Sequence, residues 1–223
     1  MRRWMILVIA LVVCVPLAAE DINGCVLWKA LLTGNLKYEA GEITYTGLQK
    51  ERKDLAKKQE PPVTILSCSD SRVPPELVFN QSLGSLFVVR VAGNVADELA
   101  LASIEYAVAK KWTKLIVVLG HENCGAVGEA LEHTNPPTPS LVALVDRIRA
   151  SFVGIAWNGG GETDLTKRAV QANARASAAW LTAHSPTIRD AVIAGTVKII
   201  PAYYTMESGE VTAIDPACEP AKQ

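Results

Sequence analysis

Val63-Thr64-Ile65-Leu66-Ser67-Cys68-Ser69-Asp70-Ser71-Arg72-Val73-Pro74-Pro75 joins a short apolar run to a thiol, a carboxylate and a guanidinium at alternate positions. The β-branched run Val63–Ser67 reads as a strand. Alternate side chains of an extended backbone share a face, so Cys68, Asp70 and Arg72 can meet at the mouth of that strand. Pro74-Pro75-Glu76 suits a helix start, where proline is tolerated and an acid favours the dipole. A second stretch, Gly120-His121-Glu122-Asn123-Cys124-Gly125, follows the apolar run Leu115–Leu119. That run reads as a third strand, buried on both faces.

Between and around these stretches, strand and helix patterns alternate. Residues 24–40 have helical spacing, and Leu48–Lys58 reads as a second, highly charged helix stopped by Pro61-Pro62. This pair precedes every strand, which suggests a helical arm over 24–58 lying outside the main sheet, on a partner subunit if there is one. Leu86–Val91 is the second strand. Helices follow over 97–111, 123–132, 141–152, 164–182 and 186–194, with Asn158-Gly159-Gly160-Gly161 as a break. Val197–Ile200 is a fourth strand running on through Tyr203-Tyr204, and 211–214 pairs back on it as a hairpin. The alternation predicts an α/β fold: a mostly parallel sheet flanked by helices, with a C-terminal antiparallel strand. Ligands in such sheets bind beyond the carboxyl ends of the strands, where both highlighted stretches lie.

The chain has 223 residues, 49% of them hydrophobic, enough for one sizeable core. Arg2 and Arg3, the uncharged run Met5–Val15 and Leu17-Ala18-Ala19 together fit a signal peptide over 1–19, cleaved near Ala19. An uncleaved anchor is the alternative; the run is short for a bilayer span. Residues 20–223 then form a single domain, exported to the periplasm or beyond, with no membrane contact after cleavage. Losing Arg2 and Arg3 leaves 20 basic against 23 acidic residues, a net charge of −3. No basic block or aromatic-basic stripe supports nucleic-acid binding. Four cysteines remain: Cys25, Cys68, Cys124 and Cys218. In an oxidising compartment Cys25 and Cys218 either form a disulfide tying both ends of the chain or stay as separate thiols.

Zinc takes thiolate and imidazole ligands, and a catalytic zinc keeps a fourth position for water. Cys68, His121 and Cys124 supply three ligands, and a helix start at Cys124 favours thiolate. Asp70 then has two possible parts. It can close the site as a fourth ligand, or Arg72 can hold it back in a bidentate pair, so that it orients a zinc-bound water or hydroxide. Each stretch also has a plainer reading. A cysteine after a strand is often only a small buried residue, and Asp-Ser-Arg can be a capped helix start.

Cys68-Ser69-Asp70-Ser71-Arg72-Val73-Pro74-Pro75-Glu76 together with Gly120-His121-Glu122-Asn123-Cys124-Gly125 strongly resembles the β-class carbonic anhydrases. The likeness runs from about Asn35 to Ile214 and includes Phe87-Val88-Val89-Arg90, Ala92-Gly93-Asn94 and Ile104-Glu105-Tyr106-Ala107-Val108. It implies one zinc per subunit on Cys68, His121 and Cys124, with Asp70 and Arg72 as catalytic dyad. It implies reversible hydration of carbon dioxide to bicarbonate, and a homodimer or tetramer. It also implies that the first and third strands are neighbours, and that Gln59, Phe87, Tyr106 and Gly125 line the substrate pocket, Gln59 coming from the partner. Other functions on the same fold are hydrolysis of carbon disulfide or carbonyl sulfide, and bicarbonate or zinc binding without turnover. No proton shuttle stands out: His133 and His184 read as surface or core residues.

Overall fold

The computed structural model describes residues 23–43, 45–132, 136–155, 162–216 and 218. The signal peptide expected over 1–19, His133 and the expected break over Asn158–Gly161 lie outside the described residues. Five strands form one sheet in the order β2-β1-β3-β4-β5. They are β1 (Val63–Ser67), β2 (Leu86–Arg90), β3 (Leu115–His121), β4 (Lys198–Tyr204) and β5 (Val211–Ala213). All pairings are parallel except β4 with β5. The expected fold class is the observed one.

Period-two alternation along β3 sorts its side chains between two cores. Leu115, Val117 and Leu119 face one side with Ile65, Ile200 and Tyr204. Ile116 and Val118 face the other with Leu66. The first face is covered by α1 (Gly24–Glu39) and α3 (Pro75–Val78), through Trp28, Leu31 and Val78. The second is covered by α4 (Glu98–Ala109), α7 (Glu162–His184) and α8 (Pro186–Ile193), through Leu101, Ile104, Ala174, Leu181 and Ile188. Because both faces are covered, the uninterrupted apolarity of β3 is required.

The chain leaves β1 toward β2, then crosses back to place β3 on the other side of β1. Loops after β1 and β3 therefore diverge at a switch point, with Ser67 registered on Leu119. A third apolar cluster sits over this end of the sheet. It joins Val95 to Val127 of α5 (Gly125–Leu131), Ile148 of α6 (Pro139–Arg149) and Val170 of α7.

Several boundaries differ from the sequence expectation. β3 continues two residues past Leu119, because β4 pairs with it as far as Tyr204. The helix expected from Asn123 starts at Gly125, because Asn123 has φ of 52°, which no α-helix accommodates. The charged helix α2 spans Leu48–Asp54 only and buries no residue; a Lys50–Asp54 pair within it and a hydrogen bond from Ser82 Oγ to the Glu51 carboxylate support it. The helical arm is also corrected in part. α1 packs on the chain's own sheet, with Trp28 and Leu31 both 2% exposed. Gly34 permits this, since a Cβ there would run into the Phe79 carbonyl oxygen. Buried Asn35 pins the same helix: its Nδ2 donates to Val78 O (3.0 Å) and Gly209 O (2.8 Å), and its Oδ1 accepts from Val211 N (2.8 Å).

Cys25 and Cys218 are joined by a disulfide, with their Cα atoms 5.2 Å apart across a sequence separation of 193. It fastens the start of α1 to the segment after β5. Closing so long a loop restricts the unfolded chain by about 5 kcal/mol in the chain-entropy account. Replacing both residues (Cys25→Ser with Cys218→Ser) is expected to cost roughly 2–5 kcal/mol in denaturant unfolding. It leaves Cys68 and Cys124 untouched, so metal content stays at the wild-type level. An unchanged unfolding midpoint would show that the bond does not form in solution.

Candidate metal centre

Cys68 is the first residue beyond β1. Its loop is clamped from the neighbouring strand: Arg90, at the end of β2, donates from Nε to Cys68 O (2.9 Å) and from Nη2 to Asp70 O (2.6 Å). Val73 N closes the turn on Asp70 O at 3.1 Å. The backbone N–H of Gly93 donates to the Cys68 sulfur at 3.2 Å. Three elements thus set where this one sulfur lies.

His121 is the last residue of β3. The next residue, Glu122, is held three ways. Its N–H donates to Tyr204 O (2.8 Å), its Oε2 accepts from Met206 N (2.9 Å), and its carbonyl lies 2.8 Å from His121 Nδ1. A carbonyl can only accept, so Nδ1 carries the proton and Nε2 presents a lone pair. Nε2 is buried and has no hydrogen-bond partner among the described residues. The left-handed turn at Asn123 then brings Cys124 to the cap of α5.

The ligand atoms of Cys68, His121 and Cys124 lie within 4.8 Å of one another, with all three residues buried. A buried imidazole lone pair without a donor is costly unless something accepts it. Two sulfurs and that nitrogen, facing one point, form a donor set suited to a metal ion of zinc's softness. The sulfurs share negative charge unequally. The Cys124 side chain donates to Cys68 and holds its thiol well below the usual range, with further help from the Gly93 N–H, against desolvation. The same contact, with burial, pushes Cys124 up.

Asp70 stands at the edge of this cluster. Its Oδ1 accepts from Arg72 N (3.0 Å) and Nε (2.9 Å), and its Oδ2 from Arg72 Nη2 (2.8 Å). The guanidinium holds the Asp70 carboxyl well below the usual carboxylate range, against the opposing effect of burial. Arg72 Nη2 also donates to Asn123 O at 3.2 Å, tying the β1 loop to the β3 loop. Asp70 Oδ2 lies 3.9 Å from His121 Nε2. With Nε2 unprotonated this is proximity rather than an ion pair.

The other expected site residues divide. Gly125 opens α5 beside Cys124 and is exposed; a Cβ there would meet nothing within 4 Å. Gln59 is exposed before β1. Phe87 registers on Thr64, four residues before Cys68 and so about 13 Å back along the strand. Tyr106 of α4 is 50% exposed, with its ring centroid 6.5 Å from that of Phe87. Within one chain, then, Phe87 and Tyr106 lie beside one another away from the metal cluster, and Gln59 is exposed ahead of β1. His184 stacks on Trp180 at 4.2 Å, on the far end of α7. Two contributors had no role assigned from sequence: Arg90, and Asn173 of α7, whose Nδ2 donates to Gly93 O at 2.6 Å. An arginine ending an apolar strand and a lone Asn on an Ala-rich helix face were the available signals.

The family model for carbonic anhydrase matches residues 63–211. The chain is 36% identical over 199 residues to carbonic anhydrase 2 of Mycobacterium tuberculosis, covering 87% of this chain and 95% of that one. A carbonic anhydrase of Pseudomonas aeruginosa is 32% identical over 199 residues, 85% of this chain and 88% of its own. Among solved structures, the Coccomyxa β-carbonic anhydrase in complex with acetazolamide superimposes with a TM-score of 0.67 at 29% identity, over 82% of this chain and 84% of that one. A tetrameric β-carbonic anhydrase of Sordaria macrospora gives a TM-score of 0.67 at 25% identity, over 84% and 96%. A Cys–His–Cys cluster at the switch point of a mostly parallel sheet defines a metalloenzyme class. This chain belongs to it as a member of the β-class carbonic anhydrase family.

Native mass spectrometry is expected to find one zinc per chain. Cys124→Ser and His121→Ala should each lose it, while Gly125→Ala, made where a Cβ meets nothing, should retain it. Full zinc occupancy in His121→Ala would remove His121 from the ligand set.

Proposed function

We propose that the protein catalyses the zinc-dependent, reversible hydration of carbon dioxide to bicarbonate and a proton. The observation that carries this reading is the Asp70–Arg72 pair, whose carboxylate is pinned by three hydrogen bonds at the edge of the Cys68–His121–Cys124 cluster. Zinc, when bound by these three residues, supplies the Lewis acidity that lets water ionise near neutral pH.

The chain's own residues do the rest. Asp70 accepts a hydrogen bond from the reacting water and so aims its lone pair at carbon dioxide. Arg72 keeps both Asp70 oxygens engaged, which holds Asp70 back from becoming a fourth ligand. Gly125 leaves room beside the cluster, and its N–H faces the space where the product anion forms. Carbon dioxide and water become bicarbonate and one proton, which passes to solvent or buffer, since the described residues place no histidine other than His121 there. Because Asp70 stays ionised, it adds no inflection to the pH–rate profile between about pH 6 and 9. Its folded pKa lies below the unfolded value of about 4. The pair therefore stabilises the fold above that pH, and the contribution is lost as pH falls.

A second copy of the chain completes the pocket in this reading. Phe87 and Tyr106, with Gln59, are offered to the partner's site across the unpaired β2 edge. The Sordaria macrospora relative is tetrameric. Export is likewise part of the proposal: the leader over 1–19 directs it, and a disulfide between Cys25 and Cys218 suits an oxidising compartment.

Stopped-flow hydration assays should show rapid turnover, rising with pH through one ionisation. Asp70→Ala is expected to lower kcat about 100-fold, a typical loss when a positioning contact goes, with zinc retained. Zinc at full occupancy with no turnover at any pH would sink the proposal, and a sharp loss of activity below about pH 8 would instead favour Asp70 as a closing ligand. For the assembly, Tyr106→Glu should shift sedimentation toward monomer and lower activity together. A fully active monomer would refute the shared pocket.

A further inference from the structure

The Cys68 sulfur depends on a turn that local sequence permits, through Gly93, Asn94 and the 2.9 Å hydrogen bond from Asn94 N to Val91 O, but does not fix by itself. Gly93 and Asn94 adopt left-handed conformations in succession, with φ of 63° and 45°. For Asn94 that conformation is uncommon, and for two neighbours together it needs outside support. The support comes from two helices far away in sequence. From α6, Ile148 fills the space above Gly93; a Cβ at residue 93 would lie 2.7 Å from Ile148 Cδ1 and 3.4 Å from Ala126 Cβ. From α7, Asn173 donates from Nδ2 to the Gly93 carbonyl at 2.6 Å. Asn173 is 2% exposed, and its helix neighbours Ala169, Val170 and Ala174 are all buried and apolar. A buried amide on such a face is costly without a partner.

We propose that Asn173 is a positioning residue for the metal centre: it holds the Gly93 carbonyl so that the Gly93 N–H stays aimed at the Cys68 sulfur. This rests on the reading of Cys68 as a metal ligand. Gly93 is gripped at both ends, by Asn173 at its oxygen and by Cys68 at its nitrogen. The N–H lies in the peptide before Gly93 and the carbonyl in the peptide after it, so holding the carbonyl acts through the Gly93 Cα, the hinge about which the first peptide would turn its N–H away from sulfur. A thiolate that loses a hydrogen bond becomes a stronger electron donor to its metal, and its geometry is less defined. Partners of this kind outside the ligand set typically change metal affinity 10- to 100-fold when removed.

The test uses the cobalt-substituted protein and its thiolate-to-cobalt absorption band. In Asn173→Asp, which keeps the shape but lacks the donor, and in Asn173→Ala, the band is expected to move to lower energy. Zinc affinity, read by competition with a chromophoric chelator, should fall about 10- to 100-fold. Ala178→Gly, buried on the same helix but in the core away from the two sulfurs, should lower the unfolding temperature and leave band and affinity unchanged. A merely structural role for Asn173 predicts that all three variants behave alike. Folded Asn173 variants with the wild-type band and affinity would overturn the proposal alone. A wild-type protein with no thiolate-to-cobalt band would overturn the metal reading and the proposal with it. The wild-type protein loaded with cadmium-113 supplies a check that needs no variant. Scalar coupling between the metal and the Gly93 amide proton, across the hydrogen bond to sulfur, is the expected result, and its absence counts against the proposal.

Discussion

The parallel pairing of β1 with β3 is the constraint on which the site depends. Registering Ser67 on Leu119 brings the ends of two strands level, so Cys68 leaves one beside the last turn of the other. Neither strand could be placed this way by a tight turn, since parallel neighbours need long crossovers. The crossovers here supply α4 on one face and α3 on the other, and the cores they build keep the pairing in register. A slip of one residue would exchange the two faces of β3 and send its side chains into the wrong cores. The same slip would carry His121 away from Cys68, which stays with β1.

The two sulfurs sit in an apolar cluster with Val95, Val127 and Val170, and the protein adds cations and N–H donors beside them. Arg90 grips the carbonyls of Cys68 and Asp70, Arg72 grips the Asp70 carboxylate and reaches Asn123, and Gly93 addresses the sulfur. Buried thiolates are unfavourable unless such groups compensate them. The arrangement also separates duties. Arg90 holds backbone and meets no carboxylate among the described residues, whereas Arg72 is half exposed and holds the Asp70 carboxylate. The first sets geometry and the second keeps an acid ionised.

The N-terminal helix shows how packing can overturn a reasonable reading of order along a chain. Lying before every strand, residues 24–39 look like an appendage. In space they close one whole face of the sheet, fastened by Asn35 to both α3 and the β4–β5 turn and by the disulfide to the C-terminal segment. α2 behaves as the appendage instead, burying nothing. Leu48 and Leu55 remain on its exposed surface.

Much of the centre was legible in the letters because its chemistry is local. Cys68, Asp70 and Arg72 sit within five residues, His121 and Cys124 within four, and each set follows an apolar run whose period announces a strand. Residue type and spacing alone therefore determined the donor set, the strand ends that carry it and the α/β class. What the letters did not hold were relations across long separations. Asn173 meets Gly93 from 80 residues away, Arg90 meets Cys68 from 22, and Phe87 is set back from the cluster because β2 pairs in register with β1, Phe87 on Thr64. Such contacts depend on which face each helix presents to the closed sheet, and only tertiary packing decides that. The latch on Asp70 joins both kinds of information: its two partners are neighbours in sequence, but the Asn123 carbonyl that steadies Arg72 arrives only when β1 and β3 lie side by side.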